Sequence, residues 1–306
     1  MIRLALRVRR AQSELVLAEL LQLAPAGVEE TDLQDDLVEY AIYGPPGELP
    51  LLPDLKAAAA DALVEISTSE IPDDWSERWK DFHRPITIAS PVPERVEALR
   101  VRAPWEQPAL AAGTREIVID PGQAFGTGAH ATTRLCLEIL LEMACASASR
   151  PALLDLGTGS GVLAIAAATL GYGPVLAVDY DPLSVAAAAQ NAAVNGVQIE
   201  VERFDLRSDP WPTPHDGGYE VVLANLLGPL LLELAGRLAR PPTHLVVSGL
   251  LAEEAEKISQ AFAGRLGMTE RLRLAGGEWA ALWLYCADGE PSKENGVSVA
   301  ARTIEQ

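Results

Sequence analysis

The sequence predicts a doubly wound, mostly parallel α/β sheet of seven strands with an antiparallel C-terminal hairpin strand, and a small α+β domain in front of it. Three observations carry this. From residue 117 onward short apolar runs alternate with helical segments, the pattern of a parallel sheet covered on both faces. A glycine-rich turn, Gly157 to Gly161, separates one of these apolar runs from a helix. The regular pattern ends on two runs flanking Gly276–Gly277, which read as a hairpin. At 306 residues the chain is long enough for two domains.

Residues 1–70 read as strand, helix, strand, strand, helix, strand. Ile2, Leu4, Leu6 and Val8 alternate with Arg3, Ala5, Arg7 and Arg9, the period of a half-buried strand. A helix follows from the cap candidate Ser13, with Leu17, Leu20 and Leu21 on one face. Residues 27–32 and 37–43 pair as strands, 55–63 is an Ala-rich helix, and 64–67 is a closing strand. That order is the ferredoxin-like split βαβ pattern. The segment 44–53, with four prolines and two glycines, reads as a loop.

Residues 71–85 form a helical linker. Asp73 or Asp74 caps it, Trp75 and Trp79 stand one turn apart, and Pro85 stops it. Indoles at that spacing are packing residues first and ligand-stacking residues second. In the domain at 86–286 the expected strands are 152–156, 175–179, 199–204, 220–226 and 244–249. The expected helices are 160–170, 182–195, 228–239 and 252–264, followed by the hairpin of 269–275 with 279–285. Residues 287–306 are polar and aperiodic and read as a mobile tail.

Composition excludes several classes. A hydrophobic fraction of 49% with 22% charged residues describes a folding chain, not a disordered one. A net charge of -19 opposes a broad contact with nucleic-acid phosphates, which needs clustered Lys and Arg. It suits a basic partner, or serves solubility alone. Cys136, Cys145 and Cys286 are widely separated, so neither a disulfide framework nor a metal site is expected. The N-terminus has no signal-peptide pattern, and the longest apolar stretch, 221–232, is too short to span a bilayer and contains Asn225, Gly228 and Pro229. A soluble cytoplasmic protein without a membrane anchor is expected.

The ligand is read from Asp155-Leu-Gly157-Thr-Gly159-Ser-Gly161. A dinucleotide fingerprint places its third glycine one position later and seats a pyrophosphate on the helix N-terminus. Here an acid, Asp155, precedes the turn, and a carboxylate beside a pyrophosphate is repelled. A ligand with a cationic amine and sulfonium fits better. At the end of the next strand Asp179 is placed to accept both hydroxyls of a ribose. Glycine turn plus acid therefore predict an S-adenosyl-L-methionine site contacted by Asp155, Gly157, Gly159 and Asp179. Asn225, at the end of an apolar strand, either bonds nearby backbone or faces that ligand. Ahead of the first catalytic strand, 120–133 is a glycine-containing loop that can close over a site, with Thr132 or Thr133 capping the next helix. His130 within it is either a base or a hydrogen-bonding residue.

Taken together, DPGQAFGTGAHATT, LLDLGTGSGVLAIAAA, VDYDP, VVLANLLGP and GEWAALWL resemble the ribosomal protein L-eleven methyltransferase family over residues 71 to 285. The AFGTG-x-H-x-TT loop and the ANL segment are its most specific parts. The resemblance implies a cytosolic bacterial enzyme with a seven-stranded methyltransferase sheet that methylates amines of one large-subunit ribosomal protein. It implies that Thr133, Gly157, Asp179 and Asn225 bind S-adenosylmethionine and that Phe125 and Thr127 belong to a loop near the methyl group. Asn225, Phe125 and Thr127 are then the residues nearest the chemistry. The front domain becomes a substrate-recognition domain, although it matches weakly in sequence and carries the Pro/Gly segment. A monomer acting on a basic protein is expected, with no direct nucleic-acid binding.

Methyl transfer from a sulfonium is an in-line displacement, so positioning the amine is the main requirement. The expected arrangement uses Asn225 and the 125–130 loop to hold a neutral amine without a dedicated base. Three rivals remain: a methyltransferase of the same fold acting on another protein or a small molecule, a non-catalytic ribosome-assembly module, and an NAD-dependent oxidoreductase. Glutamine- and adenine-directed enzymes carry Asn-Pro-Pro-aromatic where this chain has Asn225-Leu-Leu-Gly, which counts against both.

Overall fold

A computed structural model describes residues 2–13, 16–17, 20, 28–33, 36–44, 49–50, 52–59, 62–70, 85–90, 98–108, 112–120, 130–212, 218–286 and 300–303. The chain divides into two compact units, Met1–Phe82 and His83–Gln306. The Trp75 and Trp79 helix, and Phe125 and Thr127, lie outside the described residues.

The first unit holds β1 (Ile2–Arg9), β2 (Glu29–Asp32), β3 (Leu37–Gly44) and β4 (Leu63–Glu70), with helix α1 (Leu52–Ala59) between β3 and β4. Ser13, Val16, Leu17 and Leu20 are helical between β1 and β2. The sheet order is β2-β3-β1-β4 with every pairing antiparallel, the arrangement expected of a ferredoxin-like pattern. The alternation of β1 is what buries it. Leu4, Leu6 and Val8 face Ile42, Tyr40 and Val38 in register and join Leu20, Leu55 and Ala59 in one core. On the other face Arg3 and Arg7 reach the buried carboxylate of Glu39 at 2.5 and 2.8 Å. Both guanidiniums hold that carboxyl below its ordinary range. The expected loop at 44–53 is shorter at its end than the composition suggests, because Leu52 and Pro53 already belong to α1; proline is tolerated in a first helical turn.

The second unit opens with a three-stranded sheet: β5 (Ile86–Ala89), β6 (Ala98–Arg102) and β7 (Thr114–Val118). β5 pairs antiparallel and β7 parallel with β6. Next come α2 (Ala131–Ala146), β8 (Leu153–Leu156), α3 (Val162–Thr169), β9 (Val175–Asp179), α4 (Pro182–Asn195) and β10 (Glu200–Arg203). They are followed by β11 (Val221–Asn225), α5 (Gly228–Arg237), β12 (His244–Leu251), α6 (Ala255–Leu266), β13 (Thr269–Gly276), β14 (Trp279–Tyr285) and β15 (Ala300–Thr303). The large sheet runs β10-β9-β8-β11-β12-β14-β13-β15.

Strands β8 to β12 are mutually parallel, and β14 is antiparallel to both neighbours. The seven expected strands are all present. An eighth, β15, pairs parallel with β13, so the stretch at 300–303 is strand where the sequence suggested only tail. Successive residues of the central strands enter opposite cores. Leu153, Ala177, Leu223 and Val246 pack with α2 and α3 on one face; Leu154, Leu176, Val222 and Leu245 pack with α5 and α6 on the other. Burial on both faces explains why these strands read as unbroken apolar runs.

The order of strands fixes where a ligand can bind. From β8 the chain steps outward to β9 and β10, then returns across β8 to place β11 on its other side. Such a reversal leaves a crevice outside the C-terminal ends of the strands on either side of it.

Candidate active site

The ends of β8, β9, β10 and β11 and the first turn of α2 line a cavity of about 590 Å³, within the range of pre-formed small-molecule sites. Its wall includes Thr133, Gly157, Gly159, Asp179 and Asn225, five residues picked out from the sequence. Phe204, Leu206 and Tyr180 add apolar surface that the sequence reading did not assign to the site.

The glycine turn is built on backbone bonds to the next strand. Gly157 N–H and Thr158 N–H both donate to the Val178 carbonyl, at 2.9 and 3.0 Å. Gly157 has φ +69°, and a Cβ there would lie 2.4 Å from Leu226 Cδ2, so glycine lets the turn approach the segment after β11. Asp179 then clasps the turn: its Oδ2 accepts from Gly159 N–H and its Oδ1 from Asp181 N–H, each at 2.9 Å. Each oxygen retains lone-pair capacity toward the cavity. Asp181 in turn caps α4 by accepting from Leu183 N–H at 3.0 Å.

Asn225 closes the opposite side. Its Nδ2 donates to Thr133 Oγ1 at 3.4 Å, and Leu226 N–H donates to the Ser248 carbonyl at 3.0 Å. Gly249, beside the register shift of β12, has φ +82°, and a Cβ there would meet the Leu226 carbonyl oxygen at 2.5 Å. This glycine supports the Asn225–Leu226 corner from beneath. Nothing in its local sequence marks it.

Asp155 differs from expectation. It is 0% exposed and does not line the cavity. Its Oδ2 accepts from Thr158 Oγ1 at 2.6 Å and Ala164 N–H at 3.2 Å, so the carboxyl braces the turn and the start of α3 from inside. Burial raises its pKa to about 7 despite those two bonds. The inward direction has a simple cause: all four residues of β8 are buried, and the Asp155 side chain faces α3. Its Oδ1 has no hydrogen-bond partner among the described residues.

His130 is the N-cap of α2. Its Nδ1 lies 2.8 Å from Thr132 Oγ1 and accepts from Thr132 N–H at 3.4 Å, while its ring packs edge-on against Trp279 at 5.1 Å. Burial lowers its pKa. The expected caps, Thr132 and Thr133, fall inside the helix because it begins at Ala131, which frees Thr133 to face Asn225. Of the expected catalytic group, Asn225 alone is described. Among the described residues no cluster of side chains suits a metal ion, and no helix is long and apolar enough to cross a membrane.

A mostly parallel sheet reversed between β8 and β11, a closing antiparallel hairpin, and a glycine turn held by the acid of the neighbouring strand define a doubly wound methyltransferase fold. The family model described as ribosomal protein L11 methyltransferase matches residues 47–285, and the chain belongs to that family. A ribosomal protein L11 methyltransferase of Geobacter sulfurreducens is 39% identical over 214 residues, 69% of this chain and 65% of that protein. The matched stretch thus spans just under two thirds of that relative's length. The namesake protein of Myxococcus xanthus is 36% identical over 268 residues, covering 83% of this chain and 87% of its own. A crystal structure of a ribosomal protein L11 methylase from Lactobacillus delbrueckii subsp. bulgaricus superposes with a TM-score of 0.53 at 33% identity, covering 61% of this chain and 93% of that one.

Proposed function

We propose that this chain is a protein N-methyltransferase that transfers methyl groups from S-adenosylmethionine to lysine or N-terminal amines of a basic large-subunit ribosomal protein, ribosomal protein L11. The observation that carries this is the placement of Asp179, the glycine turn and Asn225 around one cavity, in a chain of this family.

The residues present fit the cofactor. The cavity is of the right order for an adenosyl amino acid. Asp179 offers carboxylate oxygens at a strand end, suited to paired hydroxyls, while Phe204 and Leu206 give apolar surface for a base. Asp155, buried beneath the turn, keeps the turn's shape through Thr158 and Ala164. When bound, S-adenosylmethionine supplies a methyl group on a sulfonium.

The protein's work is then placement. Thr133 orients the Asn225 carboxamide, leaving its oxygen to accept from an incoming amine. A lysine amine has an ordinary pKa near 10.4 and must shed a proton before attack; an apolar cavity disfavours its charged form and lowers that value. His130 uses Nδ1 within its own helix cap, so a dedicated base is not assigned to it. Phe125 and Thr127 belong near the methyl group in this proposal, residues 1–70 serve as the recognition domain, 71–85 as the linker and 86–286 as the catalytic domain. The charge of -19 suits a basic partner and opposes direct nucleic-acid binding. We place the enzyme in the cytoplasm as a monomer.

The test is intact-mass analysis of purified ribosomal protein L11 after incubation with the full chain and S-adenosylmethionine. Mass gain in whole methyl increments, localised to amines, is expected. An unmodified L11 beside a chain that binds S-adenosylhomocysteine would instead identify a non-catalytic binding module.

A further inference from the structure

Helix α4 carries two asparagines one turn apart, Asn191 and Asn195, and neither lines the cavity. A buried carboxamide is costly unless both its donor and its acceptor are used. Asn191 is 2% exposed and uses both. Its Nδ2 donates to the Ser160 carbonyl at 2.8 Å, and its Oδ1 accepts from Asp120 N–H at 3.1 Å. Asn195 accepts from Val118 N–H at 2.8 Å and donates to the Val118 carbonyl at 2.7 Å, as a neighbouring strand would along the edge of β7.

The two side chains therefore do different work. Asn195 fastens one residue of a strand. Asn191 joins the glycine turn, which lines the cavity, to the backbone just past β7. Ser160 lies inside the glycine turn, next to Gly159, whose N–H is held by Asp179. Asp120 is the last described residue before 121–129, the stretch that leads into α2 and Thr133. One carboxamide thus bonds both the turn and the backbone just past β7.

We propose that Asn191 is a positioning residue for the cofactor site, tying the glycine turn to Asp120 just past β7 so that the turn's backbone keeps its place beside Asp179. Its effect on ligand affinity rests on the cofactor site proposed above. Asn195 is its internal control, being on the same helix, bonding Val118 of β7 and the Asn191 carbonyl, and making no bond to the turn.

The experiment compares Asn191→Ala, Asn191→Asp and Asn195→Ala in the full chain. S-adenosylhomocysteine binding is read by calorimetry, and amide hydrogen exchange is read without ligand. For Asn191→Ala, affinity falls about tenfold, and exchange rises at Asp120 and Gly159. Asn195→Ala lowers the melting temperature but leaves affinity within about twofold. Asn191→Asp keeps an acceptor for Asp120 and loses the donor to Ser160, so affinity falls while Asp120 stays protected. It decides the matter should the alanine variant not fold. Equal affinities in wild type and both Asn191 variants overturn the inference, as does an equal loss in Asn195→Ala. Should wild type itself not bind S-adenosylhomocysteine, the cofactor reading fails, and exchange at Asp120 and Gly159 still decides whether Asn191 ties the two segments.

Discussion

The Asn225 carboxamide donates to the Thr133 hydroxyl at 3.4 Å, linking positions 92 residues apart across the mouth of the cavity. At that length the bond aims the amide more than it stabilises the fold. The two side chains separate in their expected effects. Asn225→Ala lowers kcat for methyl transfer roughly ten- to hundredfold, because the amine loses its acceptor. Thr133→Val, which keeps shape and removes the hydroxyl, raises KM a fewfold and spares most of kcat. Steady-state kinetics with the protein substrate checks both; an Asn225→Ala enzyme of full kcat would remove Asn225 from the reacting centre.

Asp179 has a double duty, since it accepts from Gly159 and Asp181 backbone as well as facing the cavity. Asp179→Ala is expected to weaken S-adenosylhomocysteine binding roughly a hundredfold, through the lost hydroxyl contacts and the loosened turn together. Asp179→Asn retains one acceptor and loses less. Calorimetric titration measures the pair, and an alanine variant with wild-type affinity contradicts the assignment.

Two glycines meet Leu226 from different sides, and the obstacle differs. At Gly157 an added methyl meets the movable tip of the Leu226 side chain; at Gly249 it meets the Leu226 carbonyl oxygen at 2.5 Å. Both have positive φ. Gly157→Ala should cost about 1 kcal/mol of backbone strain, and Gly249→Ala about 3 kcal/mol, because main chain has to move as well. Urea denaturation distinguishes them. Equal losses would show that the corner after β11 yields freely.

Asp155 and His244 have opposite linkage to pH. Burial raises the Asp155 carboxyl from 3.8 to about 7, so the unfolded chain ionises first and its stability contribution is lost as pH rises between those values. Burial, aided by Arg271, lowers His244 from 6.5 to about 4, and its neutral ring accepts from Trp283 Nε1 at 3.1 Å. Its contribution is lost as pH falls from 6.5 to about 4. Melting temperatures of Asp155→Asn relative to wild type should therefore climb from pH 4 to 7, and those of His244→Gln relative to wild type should climb from pH 6.5 down to 4. Parallel curves for wild type and either variant would show that the group titrates alike folded and unfolded.

The sequence made the sheet readable where residues repeat a simple rule. Apolar runs ending in Asp179 or Asn225, each followed by a helix, identify β9 and β11 and place both side chains at strand ends. It hid what depends on a distant partner. β5, β6 and β7 are four or five residues long and carry Arg100, Arg102 and Glu116, which pair with one another across strands and disguise the apolar period. The Asn191 bonds reach 31 and 71 positions away, beyond any local motif. The direction of Asp155 was hidden for another reason: in a strand buried on both faces, alternation no longer separates inside from outside.

β15 has a consequence for how the molecule behaves in concentrated solution. By pairing with Leu272 to Ala275, it occupies main-chain donors and acceptors on the outer side of β13. A bare border of that kind recruits extended segments of other molecules and seeds their association. Here β15 becomes the border instead, and its four residues present a shorter ladder than the eight of β13, so crowding has less to extend.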